Sequence, residues 1–123
     1  MQYKYKINDK EGIIYQFYKG KIRINDLEAA ILKLSKDRSF NPDYNILTDL
    51  RDCIFDFRPQ DLEHFFKIFK EIFGKSRGKS AVILDTPIET AISTIFQDLV
   101  KTVRRIKIFS TYEAAIVWLK SNF

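Results

Sequence analysis

The sequence predicts an α/β domain: a single-layer mixed sheet of about five strands with about four helices, in the order ββαβαβαβα. Two observations carry this. Runs of β-branched and aromatic residues alternate with segments whose apolar residues recur at helical spacing, the pattern of helices packed on a mostly parallel sheet. A hairpin pattern precedes the first helix and adds an antiparallel strand at the start. The 123 residues suit a single domain, 1–123, and 46% hydrophobic content with 11 Phe and 6 Tyr supplies its core. Gly (4) and Pro (3) are scarce, so no linker or disordered tract is expected.

Tyr3-Lys4-Tyr5-Lys6-Ile7 alternates apolar and charged residues, the signature of a half-exposed strand whose lysines suit a sheet edge. After the turn at 8–12, Ile13–Tyr18 returns as its hairpin partner, and Gly20 is expected to break that strand. Asn25 and Glu28 read as a capping pair opening a helix that buries Leu27, Ala30, Ile31 and Leu34. Tyr44–Leu50 is the central strand; its near-continuous apolar run argues burial on both faces, and Asp49, Arg51 and Asp52 mark its charged exit.

Pro59 launches a helix with Leu62, Phe65, Phe66, Phe69, Ile72 and Phe73 as its apolar stripe. Ala81–Leu84 is a buried strand. Thr86-Pro87-Ile88-Glu89 then reads as a capping box, opening a helix with Ile88, Ala91, Ile92, Ile95, Phe96 and Leu99 on its core face. Arg105–Phe109 is a last strand. Ser110-Thr111-Tyr112-Glu113 is a second capping box, opening a helix that buries Ala115, Trp118 and Leu119.

Composition narrows function without naming it. The net charge of +5 is spread out, with concentrations at Lys75–Lys79 and Lys101–Lys107, so a solvated surface is expected rather than a nucleic-acid stripe. Cys53 is expected to be a buried hydrophobe, and His64 falls opposite its helix's apolar stripe with no partner spacing for a metal or a triad. With no signal segment and no long apolar run, a cytoplasmic protein without membrane attachment is expected. No cofactor and no metal set is indicated.

Gly74–Ser80 imitates a phosphate loop, but its glycines are one residue too close and it runs from helix to strand, the reverse of what an anion-holding helix start requires. The strand exits should gather a more interesting set: Asp49 and Arg51, Asp85 and Thr86, and Ser110, beside converging helix N-termini. Thr86, Ser110 and Asn25 already serve as caps. Arg58, just before Pro59, places a cation where a cap residue belongs, with Asp56 expected to compensate it.

The opening hairpin, the strand ending Asp49-Leu50, the apolar run to Phe57, and the strands Ala81–Leu84 and Ile106–Phe109 together resemble the STAS family, in particular its small SpoIIAA-like members. The resemblance implies a non-catalytic regulatory module that binds a protein partner. In the antagonists of this family a phosphorylatable serine follows Asp at a helix start. Those two positions here hold Phe57 and Arg58, and the next glycine is Gln60, so the residues contradict a phosphoserine switch.

Three readings follow. The first is an interaction module that docks a protein partner or itself through the strand-exit edge and the Pro59-led second helix, with Ile68 and Val117 as surface apolar residues suited to a dimer patch. The second is a binder or carrier of a small apolar or anionic ligand, which a cavity between sheet and helices would support and a solid Phe core would sink. The third is an enzyme using Asp49, Asp85 and Arg51, although carboxylates beside arginine are more often ion pairs than acid–base catalysts.

Overall fold

The computed structural model describes residues 1–122. Among them the chain runs β1 (Gln2–Asn8), β2 (Ile13–Ile22), α1 (Ile24–Ser35), β3 (Asn45–Phe55), a 3-10 turn (Pro59–Asp61) leading into α2 (Leu62–Phe73), β4 (Lys79–Ile83), α3 (Pro87–Leu99), β5 (Arg105–Phe109) and α4 (Tyr112–Leu119). The strands form one five-stranded sheet in sequential order. β1 is antiparallel to β2, and every later neighbour is parallel. The expected ββαβαβαβα order is therefore present, with the antiparallel strand at the edge.

Sequential order decides where the helices lie. Each parallel step from β2 to β5 needs a crossover, and crossovers on twisted strands are right-handed. All the steps move in one direction, so α1, α2 and α3 share a face. There Ile14 and Ile46 of the sheet meet Ile31, Leu34, Phe65, Phe69 and Phe73 of the helices. α4 follows the last strand and covers the opposite face, where Ala115 and Leu119 pack on Ile13, Leu47, Ala81 and Ile83. Neighbouring residues such as Ile46 and Leu47 thus enter different cores, which explains the unbroken apolar run of the central strand.

Two strands run further than expected. Gly20 does not end β2; at φ +97 it stays paired opposite Cys53, in a conformation that glycine alone adopts readily. β3 continues past Leu50 to Phe55, alongside the far half of β2. β4 pairs only with Ile46–Asp49, so this extension overhangs it, and Arg51 and Asp52 can be both charged and in a strand. Asp49 and Asp52 on β3 stand opposite Phe17 and Lys19 on β2. The extra β3 residue makes a bulge, which turns both Leu50 and Cys53 toward one core.

The helix starts also depart from expectation. Arg23 rather than Asn25 is the N-cap of α1, and the Asp26 carboxylate accepts its backbone N–H at 2.9 Å. Arg58 repeats the device ahead of the 3-10 turn, its N–H donating to Asp61 at 2.9 Å. A carboxylate three residues on satisfies the orphan donor, so neither start needs a capping side chain. Thr111, not Ser110, caps α4 by accepting the Ala114 N–H at 3.2 Å.

The basic runs are not wholly solvated, because each contributes one buried cation. Arg104 is 3% exposed. It donates through Nε to Ser80 Oγ at 2.7 Å, through Nη1 to Pro42 O and Ser76 Oγ at 3.0 and 3.2 Å, and through Nη2 to Tyr44 O and Lys79 O at 2.8 and 3.2 Å. Its guanidinium also lies over the Phe73 ring at 4.6 Å. Burial pulls its pKa down to about 10, so it remains charged at neutral pH. Lys79 donates to the Trp118 and Ser121 carbonyls at 2.7 and 3.1 Å, tying down the end of α4.

This cluster explains the phosphate-loop imitation. A Cβ on Gly78 would lie 2.3 Å from Tyr44 O and 2.9 Å from Asp43 O, so glycine is required for close packing. Ser76 and Ser80 receive Arg104 rather than an anion. The loop is a clamp at the N-terminal ends of the strands, away from the edge where α/β sheets bind ligands.

Candidate functional site

The helix-covered face of the sheet is not filled solid. A cavity of about 120 Å³ lies between it and α1, α2 and α3. Its walls are mostly Leu, Ile and Phe: Leu27, Ile31 and Leu34 from α1, Leu62, Phe65, Phe69 and Phe73 from α2, Ile92 and Phe96 from α3. Phe55 and Phe57, stacked with ring centroids 5.0 Å apart, wall it where β3 overhangs. The sheet contributes Gln16, Thr48 and Ser80 among its apolar positions, and α3 adds Ser93. None of the lining residues is charged.

α3 turns only part of its apolar face to the cavity. The sequence predicts a core stripe of Ile88, Ala91, Ile92, Ile95, Phe96 and Leu99, but only Ile92 and Phe96 turn inward. Ile88, Ile95 and Leu99 are 68%, 46% and 40% exposed. Phe96 reaches Phe65 and Phe69, both with centroids 5.2 Å away. The helix is held at its ends. Glu89, buried near its start, accepts the Thr86 hydroxyl at 2.6 Å and the Phe55 N–H at 3.3 Å. Gln97 donates to Ile106 O at 2.7 Å near the other end. Glu89 thus joins α3 to the β3 overhang instead of closing the expected capping box.

The strand-exit residues form a different picture. Asp49 and Arg51 make a two-pronged ion pair, Arg51 Nε to Oδ1 at 3.0 Å and Nη2 to Oδ2 at 2.7 Å. Asp85 and Asp52 add their charges to Arg51. Burial alone would raise the Asp49 pKa, but the Arg51 hydrogen bonds outweigh it and hold the carboxyl below its usual range. A carboxylate so held is a weak base at neutral pH, and the group reads as a surface ion-pair cluster. Asp56 bridges to Arg23 at 3.6 Å and does not compensate Arg58. Thr86 is engaged with Glu89, and Ser110 stays exposed before α4. Asp49, Arg51 and Asp85 therefore come together, while Asp56, Arg58 and Ser110 stand apart from them.

Other residues resolve simply. Cys53 is 4% exposed, and burial, reinforced by the Asp49 and Asp52 charges, pushes its thiol up to about 12. It is a poor nucleophile at neutral pH. His64 is exposed but has a partner after all, the Glu28 carboxylate of α1. Ile68 packs against the core, leaving Val117, 72% exposed, as the outward residue of the expected dimer pair. Among the described residues no cluster of His, Cys, Asp and Glu could hold a metal ion, and no helix is long and apolar enough to cross a membrane.

The sequence matches the SpoIIAA-like family over residues 13–120. The chain belongs to the SpoIIAA-like family. Its fold is similar to the crystal structure of an uncharacterized protein from the DUF3478 family, with a SpoIIAA-like fold, from Shewanella loihica PV-4. That similarity has a TM-score of 0.61 at 16% identity and covers 96% of this chain and 92% of that chain. No curated protein matches. At this identity the likeness is one of fold, and in this SpoIIAA-like chain the cavity, rather than the strand-exit edge, is the distinctive feature of the interior.

The residues that reading the sequence missed are Gln16, Thr48 and Ser93. A signal for the first two was present. Gln16 lies between Ile14 and Tyr18, and Thr48 between Ile46 and Leu50, so each interrupts an otherwise apolar strand face. A polar residue at a buried strand position needs a partner, which makes it a marker of something specific.

Proposed function

We propose that this SpoIIAA-like chain is a non-catalytic STAS-type module whose working part is the sheet–helix cavity, which binds a small apolar ligand. The observation that carries this reading is the uncharged cavity of about 120 Å³ beneath a helix held mainly at its ends. An apolar cavity on the order of 150 Å³ lined by Leu, Ile and Phe takes up benzene, so the scale suits a ligand of about that size. The absence of lining charge favours the apolar class over the anionic one, since a buried anion without a cation is strongly disfavoured.

Binding would stabilise the folded state in proportion to ligand occupancy. Native mass spectrometry of protein purified without added ligand tests the reading. An adduct of small mass, lost on denaturation, is the expected result; a bare chain mass that stays bare after incubation with toluene would count against it.

A second reading, a protein-interaction module, is favoured by the outward row Ile88, Ile95 and Leu99 of α3. The occupant in that case is a second copy of the chain. The middle of the row, Ala91 to Ile95, holds no charge, so two copies could meet there antiparallel without like-charge contact. The same spectrum separates the readings, because this one requires a dimer without an adduct.

A further inference from the structure

We infer that the cavity selects ligands carrying a neutral hydrogen-bond acceptor, a ketone- or ester-type carbonyl, which is held by Gln16 and Thr48. This rests on the cavity-binding reading above and specifies the chemistry of the ligand. Gln16 is 8% exposed and sits beside Thr48 in the β2–β3 register, both on the cavity wall. Its amide oxygen accepts the Tyr3 hydroxyl at 2.7 Å and faces the buried Tyr18 hydroxyl at 3.5 Å. Tyr18 has no other hydroxyl partner among the described residues, so this orientation of the amide gives its O–H an acceptor. The amide nitrogen then faces Thr48 and donates to its Oγ1 at 3.0 Å.

That arrangement leaves two donors unused. A primary amide carries two N–H groups, and only one of Gln16's has an acceptor among the described residues. Thr48 Oγ1 accepts from Gln16, and its own O–H has no acceptor among them. Among the described residues every buried side-chain nitrogen and oxygen has at least one partner, so the site is stable as it stands. The unused donors are two, next to each other, at an apolar wall with no lining cation. A carbonyl oxygen can take both. A carboxylate would be buried without a counter-charge.

Acetophenone, its alkene isostere α-methylstyrene, and benzoate test this on the intact protein by calorimetric titration. Wild type is expected to bind acetophenone and α-methylstyrene, and benzoate more weakly than either. In Thr48→Val the acetophenone affinity should fall about fivefold to tenfold relative to α-methylstyrene, and Thr48→Ser should restore it. Retained α-methylstyrene binding shows that the variant is folded. If Thr48→Val does not fold, carbonyl-labelled ¹³C acetophenone bound to wild type serves instead. Its carbonyl resonance should move downfield of its position in hexane.

Binding of both neutral probes with the same ratio in Thr48→Val, or a hexane-like carbonyl resonance, would overturn the assignment while leaving the cavity reading intact. That is also the result if an ordered water takes the two donors. Tighter binding of benzoate would overturn it in favour of an anion. Failure of all three probes would overturn the cavity reading itself.

Discussion

Arg104→Met is expected to lower the stability of the protein by about 4 kcal/mol, read as a fall in the urea midpoint at constant slope. The side chain is nearly the right length for the site, so packing over Phe73 is largely kept and the loss falls on hydrogen bonding. Ser80, Ser76 and the carbonyls of Pro42, Tyr44 and Lys79 all receive this guanidinium. Each buried acceptor stranded by the change costs roughly 1–3 kcal/mol, partly relieved where water reaches it. That approaches the whole stability of an ordinary domain. Arg104→Lys should recover little, because one ammonium cannot reach acceptors arranged around a planar fork. A loss below about 1 kcal/mol would show that the strand ends are held by something else.

Ser93→Leu should act in the opposite sense on stability and against function. Ser93 lines the cavity from α3, and leucine there would occupy much of its 120 Å³. Filling an apolar cavity at a helical position compatible with leucine is expected to add about 1 kcal/mol. Toluene binding, followed by calorimetry, should weaken by at least about 50-fold, since the ligand and the new side chain need the same space. A variant that is stabilised and still binds would place the ligand outside the cavity. One that is destabilised would mean the space is smaller than its walls indicate.

Much of the architecture is legible in the sequence because it is local. Alternation in 3–7, the apolar run of the central strand, and Thr86-Pro87 at a helix start each depend on a few neighbouring residues, and each appears in the structure. What escapes such reading depends on distant parts of the chain. Arg51 and Asp52 look like a strand exit because charge usually ends a buried strand, and only the shortness of β4 leaves room for them to continue one. Arg104 lies in a basic run indistinguishable from solvated surface until its acceptors, up to 62 residues away, are assembled around it.

The candidate site divides in the same way. Periodicity marks one face of α3 as apolar, but not whether anything covers it, and three of its large residues lie open. Cavity volume is a tertiary quantity set by how Phe65, Phe69 and Phe96 stack, so no spacing rule reports it. The strand-exit carboxylates drew attention because charge is conspicuous in a sequence. In the fold Asp49 is engaged by Arg51, whereas Gln16 and Thr48, inconspicuous in the sequence, are the polar groups left with capacity.

The central claim is that this SpoIIAA-like module binds an apolar molecule between its sheet and its helices. A toluene titration of methyl-labelled protein followed by NMR tests it most directly. The account predicts saturable shifts concentrated on Ile31, Leu34, Ile46, Leu50 and Ile92, which line the cavity, with Val117 on the far face unmoved. Shifts confined to Ile88, Ile95 and Leu99, or no saturable shift at all, would contradict it.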